Sequence, residues 1–196
     1  MLSLILGITA FGLYFLYDIN SFTWKNRIFH SFFLIGSLLI AAATALDLYS
    51  CIRMGTFCTM ADYLMLSCGG LWFLALVYCL FFALPFSETY ADQATGNHVY
   101  DGGVYALCRH PGILCFFFMY LTLGLGALPG SLLMHGMVFS LLNLCYAWFQ
   151  DRITFPKTFC DYEAYRSYVP FLIPTPASIR RAKNTLLHAK HREDSL

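Results

Sequence analysis

The stretch 113-ILCFFFMYLTLGLGALPGSLLMHGMVFSLLNLCYAWF-149 decides the fold. Between Pro111 and Gln150 there is no Asp, Glu, Lys or Arg, and the apolar run is interrupted only by Pro129-Gly130-Ser131, residue types that punctuate helices. The second half, 132–149, lies inside the roughly 17–25-residue window of a spanning helix, and the first, 113–128, falls just below it. Flanking residues or local thinning of the bilayer closes that gap. The stretch therefore reads as a tight helical hairpin whose solvent is lipid.

The rest of the chain supports this reading. Of 196 residues, 59% are apolar and 12% are charged, against about 25% charged in an ordinary soluble domain. The mean hydropathy is +0.62, and a soluble domain of this size has too little interior to hide so much apolar surface. Three further runs, 2–17, 28–46 and 63–86, bring the expectation to about five transmembrane helices in one all-α, polytopic domain covering 1–196. Residues 1–86 form an amino-terminal scaffold, and 175–196 form a polar, helical, cytosolic tail with His188 and His191 that is open to disorder. The first run has neither a basic leader nor an A-x-A site, so it is expected to remain as an anchor.

Charge gives the orientation. Lys and Arg gather on the cytoplasmic side of membrane proteins. With the amino terminus outside and the carboxyl terminus in the cytoplasm, eleven of the twelve basic residues fall inside and only Arg53 outside. The net charge of +1 offers no basic face for nucleic acid, which is excluded as a partner. The eight cysteines include no C-x-x-C pair and no zinc-type spacing. Neither a metal nor a disulfide framework is expected, a Cys51–Cys58 bond being disfavoured.

Two polar stretches, 87–112 and 150 onward, are thereby brought to one membrane face. The first closes with Gly103-Val104-Tyr105-Ala106-Leu107-Cys108-Arg109-His110-Pro111. Proline suits the first position of a helix, and an Arg-His pair at such a start can hold an anion with side-chain charge and main-chain N–H groups together. The second opens with Gln150-Asp151, an acid able to accept from an ammonium. Next, Asp161, Tyr162, Tyr165 and Arg166 share much of one helix side. From those residue types alone a plain interfacial helix with a tyrosine belt is the favoured reading. Gly124 and Gly126 read as contacts between close-packed helices, and His30 and His135, each alone in an apolar run, as packed or interfacial.

Taken together, these segments resemble the isoprenylcysteine carboxyl methyltransferase family, within the wider group of small membrane methyltransferases that includes phospholipid N-methyltransferases. The family pattern G-x-Y-x-x-x-R-H-P matches at Gly103, Tyr105, Arg109, His110 and Pro111. The later pattern, F-G-x-x-Y-x-x-Y-x-x-x-V-P with a closing Ile-Pro, matches at Phe159, Tyr162, Tyr165, Val169, Pro170, Ile173 and Pro174. The similarity covers 100–174. Departures are Ile113 for an aromatic residue, Cys115 for a glycine, Gln150-Asp151 for a Glu-Glu pair, and Cys160 for a glycine, with one residue fewer before Tyr162.

The resemblance implies S-adenosylmethionine as cofactor in a cytosolic-face pocket. Arg109, His110, Pro111, Gln150 and Asp151 would hold its amino-acid moiety and ribose, and Tyr105, Tyr162 and Tyr165 would wall the adenine and face the sulfonium. Arg166 would hold an acceptor carboxylate on a lipidated or lipophilic substrate that stays in the membrane lipids, with Asp161 orienting either Arg166 or the cofactor; an amine acceptor would instead need Asp161 or Asp151 as proton acceptor. A catalytically silent protein of the same fold and a nicotinamide-dependent membrane reductase are the competing classes.

Overall fold

The computed structural model describes residues 1–84 and 97–193, with side chains as far as residue 187. Residues 87–96 of the polar connection, the last two residues of the run 63–86, and the side chains of His188, Lys190, His191 and Arg192 lie outside the described residues. Among the described residues every regular element is helical. They are α1 (Leu2–Phe22), α2 (Ser31–Arg53), α3 (Met60–Val77), α4 (Pro111–Gly126), α5 (Leu132–Phe149), α6 (Phe155–Thr158), α7 (Tyr162–Tyr168) and α8 (Pro176–Glu193).

Four helical stretches are long and apolar enough to cross a membrane: Leu2–Phe22, Arg27–Arg53, Met60–Phe82 and Leu132–Thr158. The expected fifth is shorter, since the 16 residues of α4 extend about 24 Å against a hydrocarbon core of roughly 30 Å. Large apolar side chains such as Ile5, Leu34, Leu38, Leu64, Leu71 and Leu141 stand exposed on α1, α2, α3 and α5, which suits helices apolar enough to cross a membrane.

The chain folds as two compact units, Met1–Leu74 with Cys115–Thr154, and Ala75–Leu114 with Phe155–Leu196. In the first, α1 and α2 form a hairpin whose turn is tied by Asn20. Its side chain donates to the Asn26 carbonyl at 3.0 Å and accepts from the Asn26 N–H at 2.9 Å, so a fully buried amide closes the loop without leaving main-chain groups unmet. Small residues then bring helices together, the usual device where lipid removes the hydrophobic drive between them. The ring of Phe139 on α5 lies so close over Gly7 of α1 that a Cβ there would sit 2.0 Å from Phe139 Cε1.

Gly124 does the same in the hairpin, where an added Cβ would meet Leu133 Cα at 2.6 Å. Main chain cannot swing aside as a side chain can, so Gly124→Ala is expected to cost about 1–3 kcal/mol through overpacking. Gly12, with nothing within 4 Å, is the control: Gly12→Ala should be neutral or stabilising by up to about 1 kcal/mol. Thermal unfolding of both variants in detergent checks the opposite signs.

His135 is buried but not alone in its apolar run. Its Nδ1 lies 2.9 and 3.1 Å from the two carboxylate oxygens of Asp47, and the hydroxyls of Ser3 and Ser131 donate to Asp47 Oδ1 at 2.8 and 3.3 Å. Asp47 is 3% exposed and His135 2%. One carboxyl group in an apolar helix thus joins the starts of α1 and α5 to α2, its oxygens met by side-chain partners as buried polar groups require. The eight cysteines are free thiols.

Beyond Phe149 the helical path of α5 runs on through Pro156 to Thr158 by widening into a π turn over Gln150–Thr154. Proline lacks an N–H and its ring crowds the carbonyl four residues back, here Arg152. Adding one residue to the turn removes that clash while the helix continues.

The second unit is built around Tyr162, Tyr165 and Val169, with Val99, Phe155 and Phe159 packed on them. Its last helix is a packed element over the residues whose side chains are described. Thr175 and Ser178 exchange main-chain N–H to hydroxyl bonds at 2.9 and 3.2 Å, a reciprocal cap ahead of Pro176 at the first helical position. Ser178 and Ala182 are buried, and Thr185 Oγ1 accepts from the Gly103 N–H at 3.1 Å.

Candidate functional site

The Gly103–Pro111 loop and the segment Phe159–Pro174 lie against each other inside the second unit. Arg109 makes the join. Its main-chain N–H donates to the Pro170 carbonyl at 2.9 Å, and its guanidinium donates to the carbonyls of Arg166 at 3.1 Å and Val169 at 2.6 Å. These are carbonyls at the carboxyl end of α7, where helical partners run out and a cation is favoured. The guanidinium also lies 5.6 Å from the Phe171 ring centre. Arg109 was expected to clamp an anion, whereas these contacts make it the rivet between the two motif segments.

His110 is buried. Its ring stacks on Phe155, with centres 5.7 Å apart and planes 13° from parallel, and meets Phe171 edge-on at 5.1 Å. Pro111 follows as the first residue of α4, where a missing N–H costs nothing.

The tyrosines hold positions other than those expected. Tyr162 and Tyr165 are 2% and 4% exposed, at the centre of the unit's core. The Tyr165 hydroxyl donates to the Tyr105 carbonyl at 2.8 Å, and burial pushes its pKa well above the usual phenol value. Tyr105 in turn donates to the Cys79 carbonyl at 2.8 Å, within the π turn Tyr78–Phe82 that ends α3. A hydroxyl taking a helical carbonyl is a recognised way to open the ladder there. Tyr105 and Tyr165 are thereby placed to shape the Arg-His-Pro loop.

The expected Asp161–Arg166 partnership is also replaced. Arg166 Nη1 pairs with Glu163 one turn away at 3.2 Å, and Glu163 is 71% exposed. Asp161 tethers the stretch before the loop: Oδ1 accepts from the Val99 N–H at 2.9 Å, and Oδ2 lies 3.1 Å from His98 Nδ1. Tyr168 performs a similar service, its hydroxyl donating to Asp101 Oδ2 at 2.8 Å. Partial burial and the Asp101 charge push its pKa up to about 12.

In the first unit, Asp151 stands in the π turn at 2% exposure. Asp18, a buried acid near the end of α1, accepts from the Thr154 hydroxyl of the same turn at 3.4 Å. Sequence reasoning passed over Asp18, although an acid adjoining an apolar run was a signal. π turns recur at functional positions, and this one presents two of the expected residues. An apolar hollow of ≈ 350 Å³, lined by Leu48, Ile52, Gly55, Phe57, Tyr63 and Leu66, includes none of them.

Comparison of the chain with protein-family models, with curated proteins and with solved structures finds no match.

Proposed function

We propose that the protein is an S-adenosylmethionine-dependent methyltransferase acting on a lipid-like or isoprenylated substrate at the cytosolic face of a membrane. Its class is the small multi-pass membrane methyltransferases, and carboxyl O-methylation is the favoured reaction. In this reading α4 completes five spans, with the bilayer thinned beside it, and the carboxyl terminus is cytoplasmic by the distribution of Lys and Arg.

The observation that carries the reading is the Arg109 join. Two sequence patterns about sixty residues apart, which matter to the resemblance only as a pair, are docked by three main-chain carbonyl contacts. The donors, taken each within its own unit, also fit the cofactor in kind. Asp151 is a buried carboxylate suited to an ammonium, and His110 with the start of α4 suits a carboxylate. The cofactor, when bound, supplies a methyl group on a positive sulfonium.

The protein's own tasks are binding, alignment and exclusion of water, since a carboxylate acceptor is already ionised at neutral pH. Arg166 is assigned to hold it. The surface pair with Glu163 is worth at most about 1 kcal/mol, so an incoming carboxylate displaces Glu163 at little cost. Asp161, engaged with His98 and Val99, is a positioning residue in this scheme.

The test is methyl transfer from labelled S-adenosylmethionine to lipidated acceptors bearing either a free carboxylate or an amine. A product that releases methanol in alkali is a methyl ester and agrees with the proposal; transfer to the amine alone overturns the favoured chemistry. Arg166→Gln is expected to raise KM for the carboxylate acceptor about 10-fold or more, one charged hydrogen bond being worth about 1.5–3 kcal/mol, while cofactor affinity stays unchanged.

A further inference from the structure

Three side chains that no step above uses as a ligand meet at the amino end of α7. His98 Nδ1 lies 3.1 Å from Asp161 Oδ2 and 3.5 Å from Cys160 Sγ, and donor atoms of all three fall within 4.8 Å of one another. We propose that His98, Cys160 and Asp161 form a divalent transition-metal site, selective for zinc, with solvent in the fourth position.

Geometry and donor chemistry both point there. Zinc bonds of about 2.0–2.3 Å at tetrahedral angles put nitrogen and oxygen donors roughly 3.4 Å apart and sulfur and nitrogen roughly 3.6 Å apart. The observed 3.1 and 3.5 Å about His98 Nδ1 lie within a few tenths of an ångström of those values, and Cys160 Sγ and the Asp161 carboxylate, within 4.8 Å of each other, close on the ion as it binds. Thiolate, imidazole and carboxylate together suit a borderline cation and exclude magnesium and calcium, which take oxygen donors.

The site is also preformed. The Cys160 N–H donates to the Asn97 carbonyl at 3.1 Å, holding His98 beside Cys160. The Val99 N–H occupies Asp161 Oδ1 at 2.9 Å, which orients the carboxylate and leaves Oδ2 for the metal, the outer-shell support that ligating carboxylates commonly have. The thiol binds as thiolate and its proton passes to solvent. His98 and Asp161 are 49% and 39% exposed at their side chains, so the ion has a route in. Its effect would be to fix the stretch 97–99, which leads into the Gly103–Pro111 loop, against α7. None of this depends on the methyltransferase reading.

The test uses the full-length protein in detergent, freed of metal and titrated with zinc chloride against a chromophoric chelator, and separately with cobalt chloride. One zinc per chain is expected, with a thiolate-to-cobalt charge-transfer band in the cobalt form. Cys160→Ser should abolish the band. Cys160→Ser and His98→Ala should each weaken zinc roughly 100-fold or more, exceeding the 10–100-fold cost of losing an outer-shell partner. These donors are surface groups, so the fold survives their loss, and unchanged helical circular dichroism checks it. A cobalt spectrum without the sulfur band, or zinc held equally well by the Cys160→Ser/His98→Ala protein, overturns the proposal.

Discussion

Asp47→Ala is expected to destabilise the protein by about 1–3 kcal/mol, the cost of leaving buried hydrogen-bonding groups without their partner. Side-chain hydrogen bonds between membrane helices average only about 0.6 kcal/mol, so the larger figure needs a reason. The Asp47 carboxylate receives Ser3 at 2.8 Å, Ser131 at 3.3 Å and His135 at 2.9 Å. Its loss takes the acceptor from Ser131 and leaves Ser3 and His135, 3.1 Å apart, with only each other, and three helices lose their common anchor. The double variant Asp47→Ala/His135→Ala should be less destabilised than the sum of the singles, because the second change removes a group that has already lost its carboxyl partner. Denaturant unfolding in detergent, run as a double-mutant cycle, provides the numbers. Additive effects, or a cost for Asp47→Ala under about 1 kcal/mol, would show that the pair is incidental to the fold.

Asp151→Asn and His110→Ala are each expected to abolish binding of S-adenosylhomocysteine while the protein remains folded. The asparagine preserves the shape of a side chain that is 2% exposed and removes only the charge to which an ammonium would bind. Losing a charged partner in so dry a place leaves the ligand's ammonium unpaired, an expensive outcome. His110→Ala empties the slot between Phe155 and Phe171, so its folding must be followed by thermal unfolding in parallel. Full-strength binding in both variants would remove these residues from the cofactor site.

How much of this was legible in the chain follows from what each signal depends on. The hairpin of α4 and α5 was legible because composition alone fixes the solvent, and Pro129-Gly130-Ser131 can do little but turn. The end of α5 was not: Pro156 signals a break, and only the structure shows the π turn over Gln150–Thr154 that absorbs it. Arg109 was visible as a cation at a helix start. Its partners were hidden, because the carbonyls of Arg166 and Val169 are main-chain groups with no residue signature. Tyr162 and Tyr165 share a helix face as expected, but spacing cannot tell a core face from a ligand-facing one, and here the face is core. Asp47 and His135 were each visible as polar residues in greasy runs. Their pairing over a separation of 88 residues is a property of the packing, as is the meeting of His98 with Cys160.

The central claim is that this protein holds S-adenosylmethionine, and isothermal titration of the purified wild-type chain with S-adenosylhomocysteine tests it most directly. The account predicts saturable binding of one ligand per chain well below millimolar concentration. No heat of binding at millimolar ligand, from protein shown to be folded by its thermal transition, would contradict it.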